Sequence, residues 1–170
     1  EQCEKLYQVE IESNSKLEII DDYAFSETSI ESIIIPSGVT RIGIYAFSCK
    51  NLRQIKIAED SKLQIIDDGA FSFTLIESIL IPSNITRVGN SAFNNCKKLH
   101  QIDFANDSKL QIIDDGAFSN TPIESILIPS NITRIGNKAF NDCTKLHQID
   151  FANDSKLQII DDYAFFNTSI

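Results

Sequence analysis

Residues 76–96 read IESILIPSNITRVGNSAFNNC, and residues 123–143 read IESILIPSNITRIGNKAFNDC. The two copies start 47 residues apart and differ at three positions. Self-similarity of this kind decides an architecture before any single residue is weighed. Outward from this phrase, the dipeptide Ala-Phe ends at Phe25, Phe47, Phe71, Phe93, Phe118, Phe140 and Phe165, with gaps of 22, 24, 22, 25, 22 and 25 residues. The gaps alternate, so there are two kinds of unit, and a pair of units spans 46 or 47 residues. The longer unit carries SKLQIIDDGAF at Ser61–Phe71 and again at Ser108–Phe118. His100–Phe118 and His147–Phe165 differ only at Gly116 against Tyr163, the mark of tandem duplication of a two-unit block.

Each unit holds one strand-like phrase. Its apolar sets are Leu6, Val9, Ile11; Ile30, Ile33, Ile35; Leu52, Ile55, Ile57; Ile76, Ile79, Ile81; Leu99, Ile102, Phe104; Ile123, Ile126, Ile128; and Leu146, Ile149, Phe151. The last two positions of each set are two apart, the strand period, and β-branched Ile dominates them. A unit with one short strand cannot bury these groups alone, but stacked units bury them in one continuous core. The 22–25-residue length decides which solenoid. It is too short for helix-pair repeats of about 33–34 residues and too long for hexapeptide β-helices. It suits a leucine-rich-repeat coil. The expected fold is a right-handed, curved solenoid of about seven coils. A parallel sheet would line its concave side, with short strand or 3₁₀ segments on the convex side. Pro36, Pro82 and Pro129 mark strand ends, because proline cannot donate to a ladder. One domain over 1–170 is expected, with repeats cut at both ends, since residue 1 opens mid-pattern.

Composition excludes several partners. Hydrophobic residues make up 42% and charged residues 23%, enough for a packed core. The net charge is −9, from 24 acidic and 15 basic side chains, which argues against nucleic acid and against docking on anionic lipid. No apolar run approaches the roughly 20 residues that cross a bilayer, so this segment is not expected to insert in a membrane.

The phrase I-x-x-I-x-I-P-S-x-I-T-R-I-G-x-x-A-F-x-x-C, at Ile76–Cys96 and Ile123–Cys143, resembles the BspA-like (Treponema-type) leucine-rich repeat. The longer units depart from that pattern. They carry Ala58, Ala105 or Ala152 where the family has Pro, Asp-Asp where it has Gly, and Phe73 or Asn120 in place of the trailing Cys. The resemblance implies a surface-displayed or secreted array for adhesion or recognition, with a host or extracellular-matrix protein as ligand.

Candidate chemistry recurs with the repeat. Cys3, Cys49, Cys96 and Cys143 are 46 or 47 residues apart. Equivalent positions two coils apart should be about 10 Å apart, beyond the roughly 4.4–6.8 Å between Cα atoms that a disulfide tolerates. Free thiols in the core are expected, with Cys3 the one most open to oxidation. His100 and His147 are too far apart to share a metal. They lie in the column Tyr7, Glu31, Arg53, Glu77, His100, Glu124, His147, which reads as a ladder of charge pairs, with a pH-sensing role as the alternative. The pairs Asp21-Asp22, Asp67-Asp68, Asp114-Asp115 and Asp161-Asp162 read as solvated turns contacting Arg41, Arg87 and Arg134 between layers. Weak calcium binding along that ridge is the alternative. No nucleophile elbow, phosphate loop, zinc spacing or unique triad is present, so no catalytic residue, metal or cofactor is expected.

Residues between the core positions of a strand point outward. The central outward row is Glu10, Ile34, Lys56, Leu80, Asp103, Leu127, Asp150, flanked on one side by Pro and Ala and on the other by Gln and Ser. Ile34, Lys56, Leu80, Asp103, Leu127 and Asp150 are the candidate ligand-binding residues, because a ridge of exposed aliphatics marks a protein-binding patch. The alternatives are that they only favour strand formation or are covered by a symmetric copy. Sequons at Asn84, Asn106, Asn131, Asn153 and Asn167 permit N-glycosylation in a eukaryotic secretory route. The expected function is non-enzymatic: adhesion or recognition at a cell surface, with an intracellular protein-interaction scaffold as the alternative. Cut repeats at the two ends would favour end-to-end pairing of this chain.

Overall fold

The computed structural model describes residues 5–170. Short and long strands alternate along it. The short ones are β1 (Ile19–Ile20), β3 (Arg41–Ile42), β5 (Ile65–Ile66), β7 (Arg87–Val88), β9 (Ile112–Ile113), β11 (Arg134–Ile135) and β13 (Ile159–Ile160). The long ones are β2 (Ser32–Ile35), β4 (Gln54–Ile57), β6 (Ser78–Ile81), β8 (Gln101–Phe104), β10 (Ser125–Ile128) and β12 (Gln148–Phe151). All pairing is parallel and joins successive coils, giving a leucine-rich-repeat solenoid with no helix among the described residues.

The unbroken sheet is the one made of dipeptides. β1-β3-β5-β7-β9-β11-β13 form seven strands in one ladder, with Ile or Val of each short strand at the register Ile20↔Ile42↔Ile66↔Val88↔Ile113↔Ile135↔Ile160. The long strands pair only two by two, as β2-β4, β6-β8 and β10-β12. Proline accounts for one missing rung at each break. In the closed pairs the Ala58, Ala105 and Ala152 amides donate to the Ile35, Ile81 and Ile128 carbonyls at 3.2, 3.1 and 3.1 Å. At the breaks the equivalent residue is Pro82 or Pro129, which has no N–H for Ile57 or Phe104. Pro36 stands in the same relation to Ile11, and the first strand-like phrase, Leu6–Ile11, forms no strand although Leu6, Val9 and Ile11 pack on the core.

The core is a column of phenylalanines. Phe25, Phe47, Phe71, Phe93, Phe118, Phe140 and Phe165 stack ring on ring at centroid spacings of 5.2–5.4 Å, with interplanar angles of 4–18°. Ile, Leu and Val of both strand types close around them. Burying each ring is worth about 1.5–3 kcal/mol.

Of the short strand or 3₁₀ segments expected behind the long strands, the structure forms the short strands, and β-turns carry the chain from them to the phenylalanines. Alternate amides leave the coil: Phe25, Phe47 and Phe71 donate to the carbonyls of Ala46, Ala70 and Ala92 in the next coil, while Ala24 donates back to Asp21. The residue two before each phenylalanine has positive φ in all seven coils: Tyr23, Tyr45, Gly69, Ser91, Gly116, Lys138 and Tyr163. A left-handed residue at that point stops the turn from propagating as a helix.

Candidate functional site

The outward row of the long strands is where a ligand would meet side chains not already used by the fold. Ile34, Leu80 and Leu127 are 57, 57 and 58% exposed, while their chain neighbours Ile33, Ile35, Ile79, Ile81, Ile126 and Ile128 are buried. The register sets each aliphatic beside a charge: Ile34↔Lys56, Leu80↔Asp103 and Leu127↔Asp150. All six candidate residues therefore lie exposed on one face. Two of the acids are fixed by their own strand, Gln101 Nε2 donating to Asp103 Oδ2 at 2.7 Å and Gln148 Nε2 to Asp150 Oδ2 at 2.6 Å. The flanking Pro and Ala row is less open than the strand period implied: Pro36 is buried, and Ala58, Pro82, Ala105, Pro129 and Ala152 are half-buried. The chain is already turning into the core there.

The two breaks in the long-strand ladder open grooves on this face. One lies between β4 and β6, with Lys56, Leu80 and Pro82 along it. The other, of about 860 Å³, lies between β8 and β10, with Asp103, Phe104, Asp107, Glu124, Leu127 and Asp150 along it. Ile57 and Phe104 are half-exposed at these breaks, whereas Ile35, Ile81 and Ile128 in the closed pairs are buried.

The aspartate–arginine column joins layers as expected. Arg41 donates through Nε to Asp67 Oδ2 of the following coil at 2.6 Å and through its terminal nitrogens to Asp21 and Asp22 of the preceding one at 3.1 and 2.9 Å. Arg87 bridges Asp68 and Asp114, and Arg134 bridges Asp115 and Asp161. The second aspartate of the first three pairs also accepts from the next coil's backbone: Ile44 N to Asp22 at 2.8 Å, Asn90 N to Asp68 at 2.9 Å and Asn137 N to Asp115 at 2.9 Å. Gly89 is required by this arrangement, since a Cβ there would lie 2.6 Å from Asp68 Oδ1. The Asp22 amide, then Arg41, hold the Asp21 carboxyl below its ordinary range. Burial pushes Asp114 up against the opposing pull of Arg87. Among the described residues no group of three His, Cys, Asp or Glu side chains is placed to hold a metal ion.

The histidine column departs from expectation. Among the described residues, no ion pair within 4.0 Å joins Glu31, Arg53, Glu77, His100, Glu124 and His147. The rows are tied by backbone instead, His100 N to Glu77 O and His147 N to Glu124 O at 3.0 Å each. The imidazoles turn aside, Nδ1 lying 3.1 Å from Lys98 O and 3.0 Å from Lys145 O. A column position brings two residues to adjacent coils but does not direct their side chains at each other.

Cys49, Cys96 and Cys143 are free and buried. Each thiol donates to the carbonyl of a phenylalanine in the preceding coil, Phe25, Phe71 or Phe118, at 2.7, 3.1 and 3.2 Å. Burial pushes the Cys96 thiol up to about 11. Cys3 lies outside the described residues. Among the sequons, the Asn84, Asn131 and Asn167 amides already donate, to Ser61 O, Ser108 O and Asp142 Oδ1, while Asn106 and Asn153 stand exposed in turns.

One cluster was not anticipated. Tyr23 and Tyr45 stack at 5.7 Å and share a surface depression with the exposed Phe73. The signal was present in the sequence: two residues past its stacked phenylalanine Phe73 stands where the other coils carry Glu27, Cys49, Asn95, Asn120, Asp142 and Asn167, and the trailing-cysteine position expected for Phe73 and Asn120 is held instead by Thr74 and Thr121, which meet Cys96 and Cys143 of the next coil.

Comparison with known proteins agrees with this architecture. The chain is similar to the pneumococcal vaccine antigen PcpA, with 31% identity and a TM-score of 0.70 over 74% of this chain and 31% of that one. It is similar to a leucine-rich cell surface protein of Faecalibacterium prausnitzii, with 26% identity and a TM-score of 0.59 over 82% of this chain and 43% of that one. The leucine-rich repeat protein of T. pallidum shares the fold, with 23% identity and a TM-score of 0.71 over 85% of this chain and 64% of that one. The chain thus spans less than two thirds of the length of each. No curated protein sequence matches it. No helix is long and apolar enough to cross a membrane among the described residues. The sequence profile of the BspA type leucine rich repeat region, in six copies, matches residues 1–100 and 64–170. With the Ala-Phe spacing, the phenylalanine column and the coil-by-coil ladder in view, the chain belongs to the BspA-type leucine-rich repeat family.

Proposed function

We propose that this chain is a non-enzymatic recognition module, displayed on a cell surface, that binds a protein of a host cell or its matrix through the long-strand face. The observation that carries the reading is the row Ile34, Leu80, Leu127. These aliphatics stand more than half exposed on strands whose other Ile and Leu residues face the core. The fold gains nothing from leaving them in water, and exposed apolar ridges set among charges are the composition of interface cores with polar rims. Surface display is supported by the solved neighbours that are a vaccine antigen and a cell surface protein. The test is the double variant Leu80→Asp with Leu127→Asp. It keeps the thermal transition and loses capture of the partner that the wild-type chain retains from host-cell extract. Unchanged capture by the folded double variant overturns the reading.

A further inference from the structure

Away from the long strands, the turns around Phe25, Phe47 and Phe71 form a surface depression of about 870 Å³, and no strand residue lines it. That volume falls within the roughly 300–1,000 Å³ of small-molecule sites. Three rings border it: Tyr23 is 60%, Tyr45 38% and Phe73 51% exposed. Tyr23 stacks on Tyr45. Tyr45 in turn lies against Gly69, which holds its own turn position in the next coil, and a Cβ there would collide with the ring. The stack therefore fixes Tyr45, with Tyr23 and Phe73 one coil to either side of it. All three rings sit on left-handed backbone, with φ of 57, 50 and 62°. Bulky side chains are outliers there. At the position of Phe73 other coils carry Asn95, Asn120, Asp142 and Asn167, types that tolerate this conformation. Phe73 thus costs backbone strain and stands in water, and strain kept without burial in return points to a functional site.

We propose that this depression binds a neutral oligosaccharide, its pyranose rings laid across Tyr23, Tyr45 and Phe73. The site is separate from the long-strand face and does not depend on it. The C–H faces of a sugar carry slight positive charge and meet the negative faces of aromatic rings. Sugar hydroxyls both donate and accept, as do the Ser26 hydroxyl and the Asn51 amide beside the rings. Tyr23 and Phe73 are two coils apart, about 10 Å, a length that takes more than one pyranose. Charge selects a neutral ligand. Among the described residues the lining holds one carboxylate, Glu27, and one ammonium, Lys50, while the chain's net charge of −9 repels an anionic sugar. An added peptide strand is excluded by the backbone, because the Tyr23, Glu27, Tyr45 and Phe73 amides already donate to the Ile44, Ser48, Asp68 and Asn94 carbonyls of the next coil at 2.8, 3.1, 3.0 and 2.9 Å. A quaternary ammonium is disfavoured by Lys50 and by two tyrosines that stack on each other rather than face a common centre.

The experiment titrates the 170-residue chain with cellohexaose, maltohexaose and the hexamer of N-acetylglucosamine, and separately with a heparin hexasaccharide and with tetramethylammonium chloride, following the aromatic-ring resonances. The expected result is saturable binding of at least one neutral hexamer, with shifts concentrated at Tyr23, Tyr45 and Phe73, and no saturation by heparin or tetramethylammonium. Tyr23→Ser with Phe73→Asn installs the residue types that Ser91 and Asn95 supply at the equivalent positions. The thermal transition of this variant should hold while its affinity falls roughly tenfold or more. Tyr163→Ser, at the same turn position in the last coil, should leave affinity unchanged. Absence of saturable binding by every neutral hexamer, equal binding of heparin or tetramethylammonium, undiminished affinity in the folded double variant, or an equal loss in Tyr163→Ser overturns the proposal. None of these outcomes touches the dependence of protein capture on Leu80 and Leu127, so the two readings fail separately.

Discussion

The Nε of Arg134 lies 2.7 Å from Asp161 Oδ2, one coil further along the stack, while the same guanidinium reaches back to Asp115 at 3.5 Å. Arg41 and Arg87 repeat the arrangement, so one arginine per coil pair ties three successive layers. These groups are partly exposed, so each pair counts for little by itself.

Arg134→Ala should therefore cost about 1 kcal/mol, the scale of an exposed network of charge-assisted hydrogen bonds. Urea denaturation of wild type and variant measures it. The difference should shrink in 1 M salt, because the pairs are screened there.

Phe93→Ala removes a fully buried ring from the middle of the column. A loss of about 3–5 kcal/mol is expected. Phe165 is only half-buried, in the last coil, so Phe165→Ala should cost clearly less. Thermal unfolding of the two variants side by side checks the order, and equal losses would contradict a column whose interior rings are the ones sealed on both faces.

Cys96 sets an alkaline limit. Its thiol ionises near 9.0 in the unfolded chain but keeps its proton to about 11 when folded. The stabilisation this linkage provides is fully present below pH 9 and is lost as pH rises from 9 to 11, by about 1.4 kcal/mol per pH unit. Cys96→Ala should flatten that part of the profile, read as the difference between the two proteins in urea at pH 8, 9, 10 and 11. In the native protein at pH 8, Cys49, Cys96 and Cys143 should resist a thiol-reactive chromophore and become titratable on unfolding.

Glycan acceptance should follow amide availability. The Asn84, Asn131 and Asn167 amides are engaged in hydrogen bonds between coils, whereas Asn106 and Asn153 project from turns. Secreted from a eukaryotic host, the chain should carry glycan at Asn106 and Asn153 in preference to the other three. Mass spectrometry after enzymatic deglycosylation in ¹⁸O-water, which leaves the heavy oxygen in the aspartate formed, reads the occupied sites.

Much of the fold was legible in the sequence because column residues repeat at a constant offset. The phenylalanine stack, the unbridged thiols and the Asp–Arg contacts all follow from asking which residues reach the same place in successive coils. What was not legible depends on direction. His100 and Glu77 occupy neighbouring rows, yet the imidazole turns to Lys98 O. The Pro36 row reads as outward by strand period, yet the chain has begun to turn, burying Pro36 and half-burying the rest of the row. The broken ladder was hidden for a related reason. Pro82 shows itself as a strand end, but the amide it lacks matters to Ile57, in a neighbouring strand. The exposed row itself, Ile34, Leu80 and Leu127, was readable because alternation within four residues needs no tertiary information.

The alternate amides that each turn hands to the next coil have a mechanical consequence. Pulled from its two ends, such an array bears load in series, through the short rungs of one coil upon the next, and no rung shields those behind it. It should yield a coil at a time, each step releasing roughly 80 Å of chain at about 3.5 Å per residue. A tether built this way lengthens under shear before it parts.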